Sequence, residues 1–383
     1  MILDNIDAAY LKLCGLCRYL PADLQRRYDS PVISRAVIAN LEEHKLIKRQ
    51  SNNLSFKLTW EGRDILAGMG YTFPVDARMD LKRPAYRRKL KNAEWNVLLS
   101  LAGIDVFGES VRRLNDSETG YVSSLMLRAD TNMRVLAGTR FLGMLKMRNT
   151  AYIPYYADGC MIPGFEREIF QSQLEPLNGI TDIKLICIFE TLEELWERTH
   201  PEQRSEPGMR GLREMDRALE ELGYECLLVP FGRGGAMQMN LIKLRRYRER
   251  ITQALGCDTT PREGLSECDG MLGGIPCVTA IDFNTERIVR ALKQIYLYDN
   301  KAVPKICCLP FQRPVMFRLL RHYGCQKSVV ITINEEQVYQ IFPELYADIV
   351  RTPYRTKEGE CIAVSSHNTR AADEAAPKKR QGV

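Results

Sequence analysis

Arginine and lysine side chains are the residues whose types and spacing point most directly to chemistry in this sequence. Between residues 78 and 91 the chain carries seven basic side chains and one acid, Asp80. The basic residues of this stretch are Arg78, Lys82, Arg83, Arg87, Arg88, Lys89 and Lys91. Such a run either contacts phosphates through its positive charge or forms the solvated beginning of a helix. The sequence leaves both interpretations open.

Other groups that could support catalysis or metal binding are poorly placed. The four histidines, His44, His200, His322 and His367, are far apart and form no ligand pair. Cys14 and Cys17 form a Cys-x-x-Cys pair, but leucines surround them and no second pair follows, which favours core packing over a metal or redox site. No serine or cysteine nucleophile has a suitable base.

Two glycine-containing motifs follow strand-like runs. The run 232–235, Gly-Arg-Gly-Gly, lacks the lysine and hydroxyl residue of a phosphate-binding loop, which favours a tight connection over a phosphate cradle. Asp158-Gly159 also follows a strand-like run, and this dipeptide is typical of a turn. Neither motif by itself predicts a site.

The first seventy or so residues alternate helical patterns with two strand-like runs. Apolar residues have helical spacing over 6–20, and Pro21 is suited to the first turn of a short second helix ending near Tyr28. Ser30 and Pro31 are a helix cap and first position for a third helix that runs to about residue 45. Runs 46–49 and 54–58 flank a turn, and Thr59 caps another helix. This order is that of a winged helix-turn-helix.

A winged helix binds DNA by placing one helix in the major groove while cations hold the phosphate backbone. The outer face of the third helix presents Ser34, Arg35 and Ile38, and Ser30 lies at its start, where backbone N–H groups can meet a phosphate. Only Arg35 can form a bidentate contact with guanine there. Phosphate contacts are expected from Arg26, Arg27, Lys48, Arg49, Lys57 and Arg63, and from Lys82, Arg83, Arg87 and Arg88. The alternative is a solvated surface used for protein contacts; the element order favours DNA.

The residues around the hairpin also resemble a known family. The run 58–66, Leu-Thr-Trp-Glu-Gly-Arg-Asp-Ile-Leu, looks like the wing-to-helix junction of bacterial winged-helix regulators. Run 40–47 resembles the end of their recognition helix, with Lys45 where a glycine usually makes a left-handed turn. With runs 83–90 and 93–103, the chain resembles the replication-relaxation family, although Lys89 lies near the place of its usual histidine. The resemblance implies a DNA-binding protein of a plasmid or conjugative element.

Run 268–286 resembles the C-terminal part of replication-relaxation proteins, which is itself similar to restriction-endonuclease-like nucleases. Such nucleases hold a divalent metal with an aspartate on one strand and an acid-x-lysine on the next. The resemblance places Asp269 at the first acid, Ala280 at the second and Asp282 at the lysine position. Asp269 and Asp282, with Glu286 one helical turn on, are the candidate catalytic residues. The missing lysine favours an inactive scaffold, so we expect no cofactor, and Mg²⁺ only in the nuclease alternative.

Beyond residue 118, strand-like runs alternate with helical patterns, which predicts an α/β domain with a substantially parallel sheet. The strand-like runs are 140–146, 151–157, 183–189, 224–231, 277–281, 305–309 and 328–333. The helical patterns are 192–199, 209–222, 240–255, 286–296, 315–323 and 335–342. We therefore expect an α/β protein overall. Its predicted parts are a winged helix-turn-helix at 1–75, a basic helical extension at 76–118, an α/β domain, restriction-endonuclease-like by resemblance, at 119–354, and a disordered tail at 355–383.

The composition of the 383 residues is that of an ordinary globular protein, with 45% hydrophobic residues and a net charge of +6. No apolar run reaches the roughly 20 residues of a membrane helix, and the N-terminus lacks the pattern of a secretory signal, so we expect a cytoplasmic protein. The predicted function is sequence-directed DNA binding in replication, DNA relaxation or transcriptional control. The alternative is a metal-dependent endonuclease or relaxase. Expected partners are double-stranded DNA and proteins of a replication or transfer complex, with the oligomeric state left open.

Overall fold

The computed structural model describes residues 3–73, 80–107, 114, 118–129, 141–156, 179–194 and 225–345. By their contacts, the described residues up to Tyr86 form one unit and those from Arg87 onward form another. Several sequence predictions lie outside the described residues: those on Arg78, the Asp158-Gly159 turn, His200, His367, the helical pattern 209–222, most of 192–199, and the tail from 355. The domain limits drawn from composition stay predictions.

Helix α1 (Asn5–Cys17) is the central element of the N-terminal unit. The Asp4 carboxylate caps it by accepting hydrogen bonds from the backbone N–H groups of Ile6 and Asp7, at 2.9 and 2.7 Å. Every residue from Asp7 to Cys17 is buried. The pKa of the Cys14 thiol is raised by burial, so Cys14 lies in the core as a thiol.

The segment between α1 and the hairpin corrects two sequence predictions. Leu20–Pro21 form a short strand, β1, and only a 3-10 turn, Leu24–Arg26, stands where a second helix was expected. A further 3-10 turn, Pro31–Ile33, precedes helix α2 (Arg35–Glu43). The cap of α2 is Ser34, whose Oγ accepts from the Val37 N–H at 3.3 Å, whereas Ser30 makes no capping bond. The extended backbone of Ser34 separates the turn from the helix.

Strands β2 (Ile47–Arg49) and β3 (Ser55–Leu58) form the expected hairpin, and β1 pairs with β3 to give the sheet order β1-β3-β2. Thr59 caps α3 (Trp60–Gly68), as predicted, by accepting from the Gly62 N–H at 3.1 Å. Its Oγ1 also donates to the carbonyl oxygen of Lys45 at 2.6 Å. Lys45 adopts the left-handed conformation, with φ 57°, although it is not a glycine. A Cβ atom on Gly62 would overlap the carbonyl oxygen of Leu46. This close approach explains why threonine and glycine stand at these positions.

The second unit begins within helix α4 (Pro84–Leu101) and contains a five-stranded sheet. Strands β4 (Thr119–Ser123), β5 (Gly143–Met147) and β6 (Thr150–Tyr156) form an antiparallel meander, and helix α5 (Ser124–Ala129) follows β4. Strands β7 (Asp182–Phe189) and β8 (Cys226–Pro230) continue the sheet in parallel with β6.

A four-stranded sheet follows, with the order β12-β11-β10-β9. Strands β9 (Gly270–Leu272) and β10 (Ile275–Thr279) form a hairpin whose two-residue turn, Gly273-Gly274, has positive φ at both positions, as a tight hairpin requires. Strands β11 (Lys305–Cys308) and β12 (Val329–Thr332) run parallel to β10. The strand-like runs therefore belong to two mixed sheets, where one largely parallel sheet was expected.

The described helices of this C-terminal part are α6 (Arg233–Ile242), α7 (Tyr247–Ala254), α8 (Thr285–Tyr298), α9 (Arg313–His322) and α10 (Glu335–Ile341). The single helix expected over 240–255 is broken before α7, where Arg246 adopts φ 54°. Apolar residues of both sheets and of α8 and α9 share one buried core. The chain is thus α/β overall, and none of its described helices is both long and apolar enough to cross a membrane.

Candidate nucleic-acid interface

The solvent-facing side of α2 is formed by Arg35, Ala36, Ala39 and Glu43, all exposed. Arg35 and Ala39 lie four residues apart and therefore share one face of the helix. Ile38, which we expected on this face, is only 6% exposed and packs inward. Because Ile33 lies in the preceding 3-10 turn, the buried face of α2 is formed by Val37, Ile38 and Leu41. The resulting surface carries the Arg35 cation, the methyl groups of Ala36 and Ala39, and the Glu43 carboxylate.

The hairpin brings two lysines together. Lys48 of β2 and Lys57 of β3 are direct cross-strand partners, so their side chains project from the same side of the sheet. On the opposite side, the neighbouring pair Arg49 and Phe56 is in contact, with the guanidinium carbon 4.7 Å from the ring centre. Like charges placed directly opposite each other destabilise a hairpin.

The other predicted phosphate contacts of this unit have different surroundings. Arg26 and Arg63 are exposed, Arg26 at the end of a 3-10 turn and Arg63 in the first turn of α3. Arg27 is half-buried, and its guanidinium lies 3.5 Å from the Asp23 carboxylate. Ser30 is half-buried at the start of the 3-10 turn before α2. Arg26 and Arg63 are therefore more available to a ligand than Arg27.

A tyrosine that the sequence did not single out holds the start of the basic stretch against the hairpin. The buried Tyr86 hydroxyl lies 2.7 Å from Ser55 Oγ in β3, and its ring packs edge-on against Tyr19 at 5.4 Å. Lys82 and Arg83, just before α4, are exposed, although Arg83 lies 3.6 Å from Asp80. Arg87 and Arg88 are exposed in the first turns of α4 and fall in the second unit.

The candidate nuclease acid Asp269 is engaged by protein groups. Both of its carboxylate oxygens lie 2.6 Å from Nη2 of Arg287, and one also accepts the Thr279 N–H at 2.6 Å. The second guanidinium nitrogen of Arg287 donates to the Thr279 carbonyl oxygen at 3.0 Å. The sequence predicted no cation beside Asp269, and this prediction is wrong. Helix α8 brings Arg287 next to the end of β10, where its guanidinium contacts Asp269.

The second candidate, Asp282, is 2% exposed and forms an ion pair with Arg248. It also accepts a hydrogen bond from the Tyr247 hydroxyl at 3.0 Å. Burial by itself raises the pKa of Asp282, but the charges of Arg248 and Arg287 outweigh burial and hold the pKa below its usual value. Asp282 is therefore an ionised, fully engaged carboxylate.

Glu286, the third candidate acid, lies on α8 and pairs with Arg290 at 3.1 Å. The same arginine contacts Glu225 at 2.7 Å and Glu267 at 3.1 Å. Within the described ranges, no group of three or more histidine, cysteine, aspartate or glutamate side chains has an arrangement that could hold a metal ion. The three candidate acids each face an arginine, so a metal would have to displace these cations.

The glycines at 232–235 connect β8 to α6. Gly232 adopts φ 99°, and a Cβ atom on Gly234 would lie 2.8 Å from the Phe311 ring. A Cβ atom on Gly235 would overlap the carbonyl oxygen of Pro230. Tight packing around the connection accounts for these glycines.

Comparison of the sequence with protein-family models, with curated proteins and with solved structures finds no match of any of the three kinds. Support for a function therefore comes from the side chains of this chain. Sequence reasoning missed Tyr86, Arg248 and Arg287, since only their tertiary contacts distinguish them from the chain's other tyrosines and arginines.

Proposed function

We propose that the unit ending at Tyr86 is a winged helix-turn-helix that binds double-stranded DNA. In this proposal α2 enters the major groove and the β2–β3 hairpin lies along the phosphate backbone. The described order of α1, β1, the 3-10 turns, α2, hairpin and α3 provides a helix and a wing for these two roles. The basic residues Lys82 and Arg83 extend the surface toward the start of α4.

The observation that carries the proposal is the pairing of Lys48 with Lys57. Lys48 is exposed beside Lys57 on one side of the hairpin, and contact with the phosphates of duplex DNA calls for positive charge placed in this way. Exposed Arg26 and Arg63 add cations for the same ligand.

The exposed face of α2 supports groove binding. Ala36 and Ala39, which share the exposed face with Arg35, allow the helix backbone to approach the bases closely, and their methyl groups can contact thymine. A guanidinium is the group best suited to a bidentate contact with guanine. We therefore assign sequence preference to Arg35 and general affinity to the lysine pair and Arg63.

The setting of this activity follows from the family resemblance. The proposal is a sequence-directed DNA-binding protein, cytoplasmic, of a plasmid or integrative conjugative element, in replication, DNA relaxation or transcriptional control. Protein partners in a replication or transfer complex belong to the same proposal. The α/β unit would then be a restriction-endonuclease-like scaffold without nuclease activity, supported by the arginines that engage Asp269 and Asp282.

The test is fluorescence anisotropy with a labelled mixed-sequence duplex and the full chain over a series of salt concentrations. The parent should bind at low salt and lose affinity steeply as salt rises. The variant Lys48→Gln/Lys57→Gln should lower the slope of log K against log salt by about 1 per lysine. A matched variant, Lys301→Gln/Lys327→Gln, removes two exposed lysines of the α/β unit and should keep the parent slope.

Absence of binding at low salt by a folded chain would rule out the proposed function. Equal slopes for the two double variants would show that DNA lies elsewhere. Circular dichroism spectra of all three proteins establish that the substitutions leave the fold intact.

A further inference from the structure

A cavity of about 280 Å³ in the α/β unit is lined mainly by hydrogen-bond donors. Its charged and aromatic lining includes Arg148, Tyr152, Lys184, Arg246, Arg248 and Asp282. These residues come from the β5–β6 turn, from β6 and β7, from the start of α7 and from the loop after β10. Four cations thus meet one carboxylate in a space that the sheet register creates.

The single carboxylate of the lining does not attract a cation into the cavity. Asp282 already pairs with Arg248 and accepts from the Tyr247 hydroxyl. Lys184 pairs with Glu225 and also lies 3.4 Å from Asp182. Arg246 lies 3.3 Å from Glu249, in a contact that is weak because Arg246 is 79% exposed. The carboxylates near the cavity are therefore engaged, while the arginines keep further N–H donors.

Arg148 differs from the other cations of this lining because its guanidinium contacts backbone carbonyl oxygens. Its guanidinium donates to two carbonyl oxygens, those of Leu244 at 3.3 Å and Ile242 at 3.4 Å. Among the residues that the structure describes, it forms no ion pair. Its charge is consequently held in place by the protein without being neutralised there.

Tyr152 adds a neutral donor. Its side chain is 7% exposed, it lines the cavity, and its hydroxyl makes no hydrogen bond with any described residue. Tyr152 and Lys184 are direct partners in the pairing of β6 with β7, so the hydroxyl and the ammonium project to the same side of the sheet. A ligand in the cavity could accept a hydrogen bond from this hydroxyl.

Two of the lining arginines have strained backbones. Arg148 adopts φ 57° and Arg246 adopts φ 54°, a region that favours glycine and asparagine. Residues held in such conformations concentrate at ligand sites. Binding of an anion by these two side chains would explain why arginine, rather than glycine, occupies both positions.

We propose that this cavity binds a phosphate group, in the form of a phosphate monoester. Several acceptor oxygens on one small anion can be met at once by the guanidinium of Arg148, the ammonium of Lys184 and the hydroxyl of Tyr152. The same chemistry is presented by a free nucleotide and by the 5′-phosphate end of a DNA strand. The site is separate from the proposed duplex-binding surface, and its existence does not depend on that surface.

The test is isothermal titration calorimetry of the full chain with inorganic phosphate, with a deoxynucleoside 5′-monophosphate, and with a short single strand carrying either a 5′-phosphate or a 5′-hydroxyl. The two strands differ only in their 5′ end, so any binding to the winged helix contributes equally to both affinities. Tighter binding of the phosphorylated end identifies a strand end as the source. Tighter binding of the mononucleotide identifies a free nucleotide, and equal binding of inorganic phosphate shows that the phosphate alone is recognised.

Three substitutions probe the site without removing a buried ion pair. Tyr152→Phe should weaken phosphate binding by about threefold to tenfold, as expected for one hydrogen bond, and Arg148→Gln by about tenfold or more. Arg246→Gly should also weaken binding while leaving the melting temperature unchanged or higher, because glycine accepts the left-handed backbone. The control is Arg245→Ala, an exposed neighbour that pairs with Glu118 and does not line the cavity.

The proposal is overturned if none of the phosphate probes binds, or if the three variants bind as tightly as the parent. A loss equal to theirs in Arg245→Ala would also overturn it, since the effect would then be one of general charge. Loss in the three variants with retention in the control supports it.

Discussion

Arg287 and Asp269 form a nearly buried ion pair in which one guanidinium nitrogen lies 2.6 Å from both carboxylate oxygens. The pair connects α8 to the residue that precedes β9, and Arg287 is only 5% exposed. Breaking such a pair leaves a charge in a poorly solvated site. This relationship determines what Asp269 can do.

The substitution Arg287→Met should destabilise the α/β unit by about 3–5 kcal/mol, because Asp269 would keep its charge without its partner. The double variant Asp269→Leu/Arg287→Met should recover much of the loss. Urea unfolding of the full chain measures both. If the single variant were as stable as the parent, the pair would contribute little.

The purified protein should not cut DNA. Its candidate acids are occupied by Arg287, Arg248 and Arg290, so a divalent metal would have to compete with three cations. Incubation of supercoiled plasmid with Mg²⁺ or Mn²⁺, followed by agarose gel electrophoresis, is the measurement. Nicking by the parent that disappears in Asp269→Ala would establish the nuclease alternative.

Arg35→Ala should reduce the preference for a specific DNA site by about 1–3 kcal/mol if its guanidinium contacts guanine. Arg63→Ala should weaken specific and random duplexes alike, since a phosphate contact does not distinguish bases. Competition binding with both duplexes separates the two effects. Equal losses on both duplexes for Arg35→Ala would show that another residue contacts the bases.

Lys45→Gly should stabilise the N-terminal unit by about 0.5–1 kcal/mol, because φ 57° strains a lysine and suits glycine. Glu43→Gly, two residues earlier and within α2, should destabilise the unit by a similar amount. Hydrogen exchange of the slowest amides of α1 reports both changes. A loss of stability in Lys45→Gly would mean that the lysine side chain outweighs its backbone strain.

The contribution of Asp7 to the stability of the N-terminal unit should fall as pH rises above 3.8, the ordinary pKa of an aspartate. Burial, and then the charge of Asp4, raise the pKa of Asp7 above 3.8, although Asn40 donates to it at 2.7 Å. The folded state therefore holds a proton more tightly than the unfolded state. Its advantage is complete below the unfolded pKa and disappears as pH passes the folded pKa.

Asp7→Asn should remove that pH dependence, since the amide oxygen can still accept from Asn40. Asp64→Asn, at an exposed position of α3, is the matched control and should retain it. The measurement is hydrogen exchange of α1 amides between pH 4 and 7. A parallel pH profile for the parent and Asp7→Asn would contradict this assignment.

Local signals in the sequence were sufficient for much of the fold. The hairpin, the Thr59 cap, α4, α8, α9 and most of the described strands follow from hydrophobic periodicity and capping residues, which act over a few neighbours. Two local signals gave wrong predictions. Pro21 was expected to begin a helix but belongs to the two-residue strand β1, and Ser30 was expected to cap the helix that Ser34 caps. The Gly273-Gly274 pair is typical of a tight hairpin turn and could have predicted the pairing of β9 with β10.

The candidate sites depend on contacts that local patterns do not encode. Asp269 and Arg287 are 18 residues apart, and Asp282 and Arg248 are 34 apart. Tyr152 meets Lys184 only through the register of β6 with β7. The sequence by itself determined which residues are cationic, many of the segments that form helices or strands, and the hairpin between α2 and α3. The tertiary structure decided which charges are paired and which remain available, because strand register and helix packing, rather than spacing along the chain, fix those distances.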